Sequence, residues 1–173
     1  MRRRSAVVAA LLLLAATASV PLDRYVPARI VRASYEIQRL GVAYSWGGGH
    51  AADPGPSLGT CVGYRGKIRP CPAAVTRGLD CSGLARWVYA LAHGSDVLGP
   101  GNTDDQVREL RRVAMGRPGD LVFFGHVTDK SIKTHHVGVY LGGGKMMDAP
   151  YTGAVVRIDH VGGRKDFAGF YRY

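Results

Sequence analysis

Cys81 is the residue whose type and position best fit nucleophilic chemistry. Apolar residues with helical spacing follow it: Leu84, Trp87, Val88 and Leu91. A helix start presents unpaired N–H groups and a partial positive charge, both of which stabilise an anion such as a thiolate. Two small residues, Ser82 and Gly83, come directly after the cysteine and leave room for a substrate carbonyl near the backbone. The sequence therefore predicts a thiol nucleophile at a helix N-terminus.

A thiol nucleophile needs a general base, and the chain has six histidines. His136 is favoured because it opens the apolar segment 136–141, a predicted strand that could aim an imidazole. Asp148 lies in an otherwise apolar segment, where a carboxylate without a partner would be costly, so we expect it to hold the second ring nitrogen. By spacing alone, a buried cysteine and a structural histidine remain alternatives, because catalytic pairs form in space rather than along the chain.

The three cysteines, Cys61, Cys71 and Cys81, leave one thiol unpaired in an oxidising compartment. Cys61 and Cys71 both lie in a Gly- and Pro-rich segment, residues 50–78, which is long for a loop without structure of its own. A disulfide between them would fix that segment in an exported protein, and Cys81 would then be the free thiol. Two free buried thiols are the alternative.

The N-terminus has the features of a secretory signal peptide. Arginines at positions 2 to 4 precede an apolar run over 6–16, and residues 16–18 offer a small-x-small cleavage site. The run is too short to span a bilayer, although an uncleaved anchor is the alternative. We therefore expect a signal peptide at 1–18, one domain at 19–173 and a secreted, extracellular protein.

The chain is basic, with 23 Lys and Arg against 13 Asp and Glu and a formal charge of +10. Such an exported protein is attracted to anionic cell-wall polymers. The densest basic run, 108–117, is predicted to be a solvated helix face. No basic stripe interleaved with aromatics is present, so we expect no nucleic-acid partner, and no specific protein partner is indicated. No cofactor or metal is expected, with zinc ligation by His135, His136 and Asp148 kept as a minor alternative because HExxH and paired CxxC motifs are missing.

Periodicity gives the order of the secondary structure. Helices are predicted at 27–40, at 81–94 and, with polar character, at 103–113. Strands are predicted at 121–124, 136–141, 145–149, 155–158 and 167–171, with a glycine turn at 142–144 that makes 136–149 a hairpin. Helices followed by an antiparallel sheet predict an α+β fold. Both tryptophans, Trp46 and Trp87, are expected in the core.

Four segments, in order, resemble motifs of the NlpC/P60 family of cell-wall peptidases: 44–48, 80–84, 119–124 and 136–142. The resemblance runs from about residue 30 to the C-terminus and leaves the insertion 50–78 outside. It implies a papain-like α+β fold, with N-terminal helices packed on an antiparallel sheet. It also implies a cysteine endopeptidase that hydrolyses peptidoglycan stem peptides, typically at the bond between D-glutamate and diaminopimelate.

The resemblance places the nucleophile at Cys81 and the base at His136, which is expected to hold Cys81 as a thiolate. The third polar residue is usually a histidine in this family, and its position maps to Asp148. A carboxylate can also orient an imidazole, so this departure is compatible with activity but affects the expected pH dependence. His135 precedes the strand motif and is expected to be structural or solvent-facing.

The resemblance further implies that Tyr44, Asp80 and Ser82 line the subsite for the stem peptide. Asp80 could bind the free amino group of a stem by charge, and residues 50–78 could form a lid or a subsite wall. Three alternatives remain at this point. They are an amidase that cuts between muramic acid and L-alanine, a catalytically silent wall-binding module, and a toxin directed at other bacteria.

Overall fold

The structure, a computed structural model, describes residues 25–173, and the predicted signal peptide at 1–18 lies outside the described residues. Within this range the helices are α1 (Val26–Arg39), α2 (Cys81–His93) and α3 (Thr103–Arg108). The strands are β1 (Ser57–Leu58), β2 (Arg77–Gly78), β3 (Arg111–Val113), β4 (Leu121–Thr128), β5 (Ser131–Gly142), β6 (Lys145–Asp148), β7 (Arg157–His160) and β8 (Phe167–Arg172). None of the described helices combines the length and the apolar character that crossing a membrane requires.

Six of the strands form one antiparallel sheet in the order β3-β8-β4-β5-β6-β7. In its centre, β4 pairs with β5 so that Phe124 lies opposite His136. On the other side of β5, Val139 lies opposite Met147 of β6. Because the helices precede this sheet in the chain and pack on it, the predicted α+β fold is confirmed.

Strand β4 is buried on both faces of the sheet. Leu121 and Phe123 belong to the main core beneath the helices, whereas Val122 and Phe124 pack on the opposite face with Met146. Each of these side chains is fully buried. A strand that is covered on both faces needs a continuous apolar run rather than an alternating one, which explains the sequence of residues 121–124.

Helices α1 and α2 cover one face of the sheet. The buried residues of α1 include Ile30, Ala33 and Ile37, whose spacing puts them on a single stripe. Helix α2 ends at Gly94, which adopts a left-handed conformation with φ of 80°. The helices predicted at 27–40 and 81–94 are therefore present, with bounds that agree to within one residue.

The helix predicted at 103–113 is shorter than expected. It ends at Arg108, and residues Arg111–Val113 form the edge strand β3, which pairs with β8. Pairing with the sheet outweighs the helical preference of the two arginines. The prediction that the basic run 108–117 is a helix face is thus wrong for residues 111–113, where exposed arginines lie on a sheet edge.

Strands β4 and β5 extend beyond the predicted segments 121–124 and 136–141. They continue as a hairpin whose turn is formed by Asp129 and Lys130. The extension is mostly polar and has one apolar residue in each strand, Val127 and Ile132, which is too few for hydrophobic periodicity to mark it. His136 consequently lies within β5 rather than at its start, and the expectation that His135 precedes the strand is wrong.

Residues 50–78 have a defined course. Strands β1 and β2 pair with each other, Ser57 opposite Gly78, and hold the two ends of the segment together. Cys61 and Cys71 form the predicted disulfide, and Cys81 is the free cysteine.

Candidate active site

Cys81 is the first residue of α2 and is 9% exposed. Its helix is capped by Asp80, whose carboxylate accepts a hydrogen bond of 2.8 Å from the N–H of Gly83. Gly83 packs on the backbone of residues 48–49, and a Cβ there would collide with the carbonyl oxygen of Gly48. The small size of Gly83 therefore permits close packing of α2 on this turn, a role that the sequence did not predict.

His136 and Asp148 lie on the neighbouring strands β5 and β6. His136 Nε2 is 2.7 Å from Asp148 Oδ2, and both side chains are buried. The carboxylate thus occupies Nε2. The other ring nitrogen, Nδ1, has no hydrogen-bond partner among residues 25–173. The pair thus has the arrangement of a base and its orienting group, with one nitrogen free to exchange a proton.

Arg164 is a third member of this cluster, which the sequence did not reveal. Its Nη2 atom lies 3.2 Å from Asp148 Oδ2, and its guanidinium lies 5.9 Å from the ring centre of Phe124. Asp148 Oδ1 is buried without a hydrogen-bond partner in the described part of the chain. Arg164 follows two glycines in a polar stretch, and no local pattern connects it with a carboxylate 16 residues earlier.

Burial makes the free thiol and imidazole neutral. Burial raises the pKa of Cys81 to about 12, and the charge of Asp80 adds to this effect, while the peptide groups of Val137 and Ser82 oppose it. Burial also lowers the pKa of His136, although its hydrogen bond to Asp148 acts in the opposite direction. A neutral pair is thus favoured in the unliganded protein, in place of the thiolate that the sequence led us to expect.

Tyr44 stands beside the nucleophile. Its backbone is held by an N–H bond of 2.8 Å to the carbonyl of Ala154 and by a bridge to Leu79. The side chain is 9% exposed, and burial, the largest cause, together with the nearby charge of Asp80, raises the pKa of its hydroxyl far above the usual range. The phenol therefore stays protonated and can donate a hydrogen bond.

Asp80 is more heavily engaged than the sequence suggested. Besides capping Gly83, it accepts a hydrogen bond of 2.9 Å from Ser82 Oγ, and His50 Nε2 lies 3.0 Å from both of its oxygens. His50 Nδ1 is 2.8 Å from the carbonyl oxygen of Pro100. Burial lowers the pKa of His50, but the hydrogen bond and the charge of Asp80 outweigh burial and raise it overall. His50 was not identified from the sequence, where nothing relates it to position 80.

Two cavities meet at Cys81. The first, of about 570 Å³, is lined by Tyr44, Asp80 and Ser82, and the second, of about 710 Å³, by His136 and part of the 50–78 segment. The predicted substrate-binding residues therefore line one cavity, and the predicted base lines the other. Trp46 lines both and is not confined to the core, since its Nε1–H donates to the carbonyl of Val62 across 2.7 Å.

His135 has a different environment from His136. Its side chain is 56% exposed, and its Nε2 atom lies 2.7 Å from Asp166 Oδ2. It is therefore solvent-facing, as expected, although it borders both cavities. Among residues 25–173 there is no group of three or more His, Cys, Asp or Glu side chains that could hold a metal ion.

Comparison with known proteins identifies relatives. The family model described as NlpC/P60 family matches residues 41–165, which include the 50–78 segment. The peptidoglycan endopeptidase RipA of Mycolicibacterium smegmatis is 36% identical over 127 residues, which are 72% of this chain and 22% of the relative. RipB of Mycobacterium tuberculosis, also named a peptidoglycan endopeptidase, is 38% identical over 71% of this chain and 44% of its own length. The chain thus spans less than half of these curated relatives.

Solved structures show the same similarity. The structure of the peptidoglycan hydrolase RipB from Mycobacterium tuberculosis aligns with a TM-score of 0.62 at 32% identity, over 89% of this chain and 68% of that one. RipD from the same organism aligns with a TM-score of 0.59 at 27% identity, over 83% of this chain and 96% of that one. RipD is described as a non-catalytic NlpC/p60 domain protein adapted to peptidoglycan binding.

Proposed function

This chain belongs to the NlpC/P60 family, and from that premise we propose that it is a secreted cysteine endopeptidase that hydrolyses peptidoglycan stem peptides. The family relatives RipA and RipB are named peptidoglycan endopeptidases, and the sequence carries a signal-peptide pattern and a basic charge suited to an anionic wall. Because this chain spans only part of these relatives, their activity is carried over as a proposal.

One observation supports this proposal above the others. Cys81 opens a helix at the junction of two cavities, and one of them is lined by His136, whose imidazole is fixed by Asp148 across 2.7 Å. In the proposal Cys81 is the nucleophile, His136 the general base and Asp148 the orienting group. The non-catalytic domain RipD makes a silent wall-binding module the second candidate, but such a module would not need this His136–Asp148 pair.

The neutral resting pair favours general-base catalysis. In the first step His136 Nδ1 accepts the proton of Cys81 while Sγ attacks the carbonyl carbon of the stem peptide. Asp148 stabilises the imidazolium that forms. The oxyanion is bound by N–H groups at the start of α2 and by the hydroxyl of Tyr44, and the loss of one such donor typically costs about 10²–10³ in rate.

The second half of the reaction returns the enzyme to its resting state. The imidazolium of His136 protonates the leaving amine, which departs with the C-terminal part of the stem. Water then attacks the thioester, and the thiol and the N-terminal fragment are released. We propose the bond between D-glutamate and diaminopimelate as the target. Cleavage between muramic acid and L-alanine is the competing outcome.

The test is a digest of purified diaminopimelate-type peptidoglycan, with products identified by mass spectrometry. Wild type, Cys81→Ala and His136→Gln are compared, with His135→Gln as the matched control for the neighbouring histidine. We expect fragments ending in D-glutamate from wild type and from His135→Gln only. Glycan chains freed from intact stems would support the amidase. If folded wild type gives no product that depends on Cys81, the enzyme proposal is wrong, and binding to the insoluble wall becomes the function to measure.

A further inference from the structure

The larger cavity beside Cys81 is positively charged. Arg65, Lys67 and Arg164 line it, and no Asp or Glu does. Arg164 is paired with the buried Asp148, whereas neither Arg65 nor Lys67 has a carboxylate within 4.0 Å among residues 25–173. We call Arg65 and Lys67 the cationic wall; both belong to the 50–78 segment.

The cavity on the other side of Cys81 has the opposite charge. Its lining includes three carboxylates, Asp80, Asp104 and Asp105, and two histidines, His50 and His135, but no Lys or Arg. Asp80 and Asp104 accept hydrogen bonds from groups that are neutral apart from His50, whereas Asp105 is paired with Arg108 across 3.1 Å. The two cavities form one groove, with Cys81 at their junction. The groove is acidic on the side of Asp80 and basic on the side of the cationic wall.

The cationic wall is part of the folded structure. The Cys61–Cys71 disulfide closes the segment that carries it. Tyr64, which directly precedes Arg65, is buried and packs edge-on against Trp46 with ring centres 5.8 Å apart. It donates a hydrogen bond of 3.1 Å to the carbonyl of Ile68, so the chain that carries the two cations turns over its ring. The two charged side chains thus project from a backbone that Trp46 anchors to the groove.

A peptide that crosses this groove is itself polarised. In a free stem peptide the acyl half has an amino end and the α-carboxylate of D-glutamate, whereas the leaving half has two carboxylates against one amine. Only the leaving half therefore has a net negative charge while its carboxylates are free. The charges are matched best when the amino end lies toward Asp80 and the leaving half lies in the basic cavity.

We propose that the cationic wall binds free carboxylates on the leaving half of the stem peptide, and thereby selects unamidated stems and fixes the direction in which they lie. This inference rests on the proposed endopeptidase function. It assigns Arg65 and Lys67 as specificity-determining residues. Although Arg65 and Lys67 are exposed, they line the cavity that contains Cys81 and His136, which favours the substrate over a long anionic polymer as their ligand.

The test uses two synthetic peptides with the sequence L-alanine, γ-D-glutamate, diaminopimelate. They differ only in whether the carboxylates of diaminopimelate are free or amidated. Wild type is compared with the double variant Arg65→Gln/Lys67→Gln. The matched control is Arg39→Gln/Lys130→Gln, which removes two exposed positive charges outside the groove.

We expect amidation to raise the KM of wild type about 10-fold, with kcat changed less than about 2-fold, because two exposed charge pairs are lost. The double variant should have this raised KM for both peptides, and the control should behave as wild type. The discrimination by wild type should weaken as salt is added. Equal KM values of wild type for the two peptides would overturn the inference, while cleavage itself would leave the proposed function intact.

If wild type cleaves neither peptide, the peptidoglycan digest decides the proposed function separately, and affinity decides the inference. The Kd of each peptide for Cys81→Ala, with and without the wall substitutions, is then measured by calorimetry. A preference for the free carboxylates that is lost when Arg65 and Lys67 are substituted supports the role proposed for the cationic wall. The absence of such a preference overturns it. A double variant that loses affinity for a polyphosphate probe, but not for the peptides, would assign these residues to anionic polymers instead and also overturn it.

Discussion

Arg164 Nη2 lies 3.2 Å from Asp148 Oδ2, the same oxygen that is 2.7 Å from His136 Nε2. Asp148 is fully buried, and the guanidinium is the permanent positive charge that compensates it while His136 is neutral. A buried carboxylate without such compensation is costly. Arg164 therefore acts through Asp148, as a positioning residue for the imidazole.

The substitution Arg164→Gln tests this relationship. We expect the free energy of unfolding to fall by about 1–3 kcal/mol, because a buried carboxylate loses its charged donor. The kcat/KM should fall about 10-fold as the imidazole loses its fixed orientation. The charge of Arg164 contributes to the lowered pKa of His136, so the acidic limb of the pH–rate profile should move to higher pH.

Urea unfolding and the pH dependence of kcat/KM measure these effects. Lys165→Gln, which removes the neighbouring exposed charge, is the control and should leave both unchanged. A purely structural role would lower stability without moving the acidic limb. An unchanged limb in Arg164→Gln would therefore contradict the positioning role.

The pH dependence expected for the proposed reaction follows from the burial of His136. Because burial lowers the pKa of His136, the base stays neutral, and therefore active, to below the usual histidine pKa of about 6.5. We expect kcat/KM to rise with pH through that lowered pKa and then to reach a plateau. Burial raises the pKa of Cys81 to about 12, so thiol ionisation should give no further change near neutral pH.

The rate at which Cys81 is alkylated separates this mechanism from a resting thiolate. A thiolate would alkylate rapidly with iodoacetamide at neutral pH, whereas the buried neutral thiol of Cys81 should react slowly. The comparison needs no substrate. Fast alkylation of the native protein, together with an acidic limb well above about pH 6.5, would contradict the neutral pair.

The sequence predicted the order of the elements and the residue types of the site, because strong patterns carry both. The helix at Cys81 follows from the periodic residues after it, and the partner of His136 follows from the cost of a lone carboxylate at Asp148. Strand lengths were missed at residues 125–135, where Val127 and Ile132 are the two apolar residues among polar ones. One apolar residue in each strand extension gives no repeated hydrophobic pattern to detect.

The partners that come from distant loops could not be predicted. Arg164 reaches Asp148, and His50 reaches Asp80, only because the folded chain brings a polar loop against a buried carboxylate. Their side chains are ordinary charged residues in the sequence. Trp46 was expected in the core but lines the groove, since its ring is amphipathic and its N–H has a carbonyl partner at the cavity edge.

The disulfide gives a further prediction. The double variant Cys61→Ser/Cys71→Ser should lose about 2–3 kcal/mol in the free energy of unfolding, since the unfolded chain gains freedom in this short loop. If residues 50–78 form one side of the substrate groove, KM should rise while kcat is nearly unchanged. Peptide kinetics and urea unfolding check both effects. A fall in kcat with no change in KM would indicate that the segment acts on the nucleophile rather than on substrate binding.

The contact between His50 and Asp80 predicts a pH-dependent contribution to stability. His50 Nε2 lies 3.0 Å from both oxygens of Asp80, and the pKa of His50 is raised because the hydrogen bond and charge of Asp80 outweigh burial. The folded state therefore binds the proton more tightly than the unfolded state does. The resulting stability is fully present below the unfolded pKa of about 6.5 and is lost as pH rises through the folded pKa.

The variant His50→Gln isolates this contribution, because glutamine retains hydrogen-bonding groups but cannot be charged. The difference in unfolding free energy between wild type and variant should be largest near about pH 5.5 and shrink toward about pH 9. His136, with a lowered pKa, contributes in the opposite direction, but it is present in both proteins and cancels. A difference for His50→Gln that grows with pH would show that Asp80 does not hold the proton on His50.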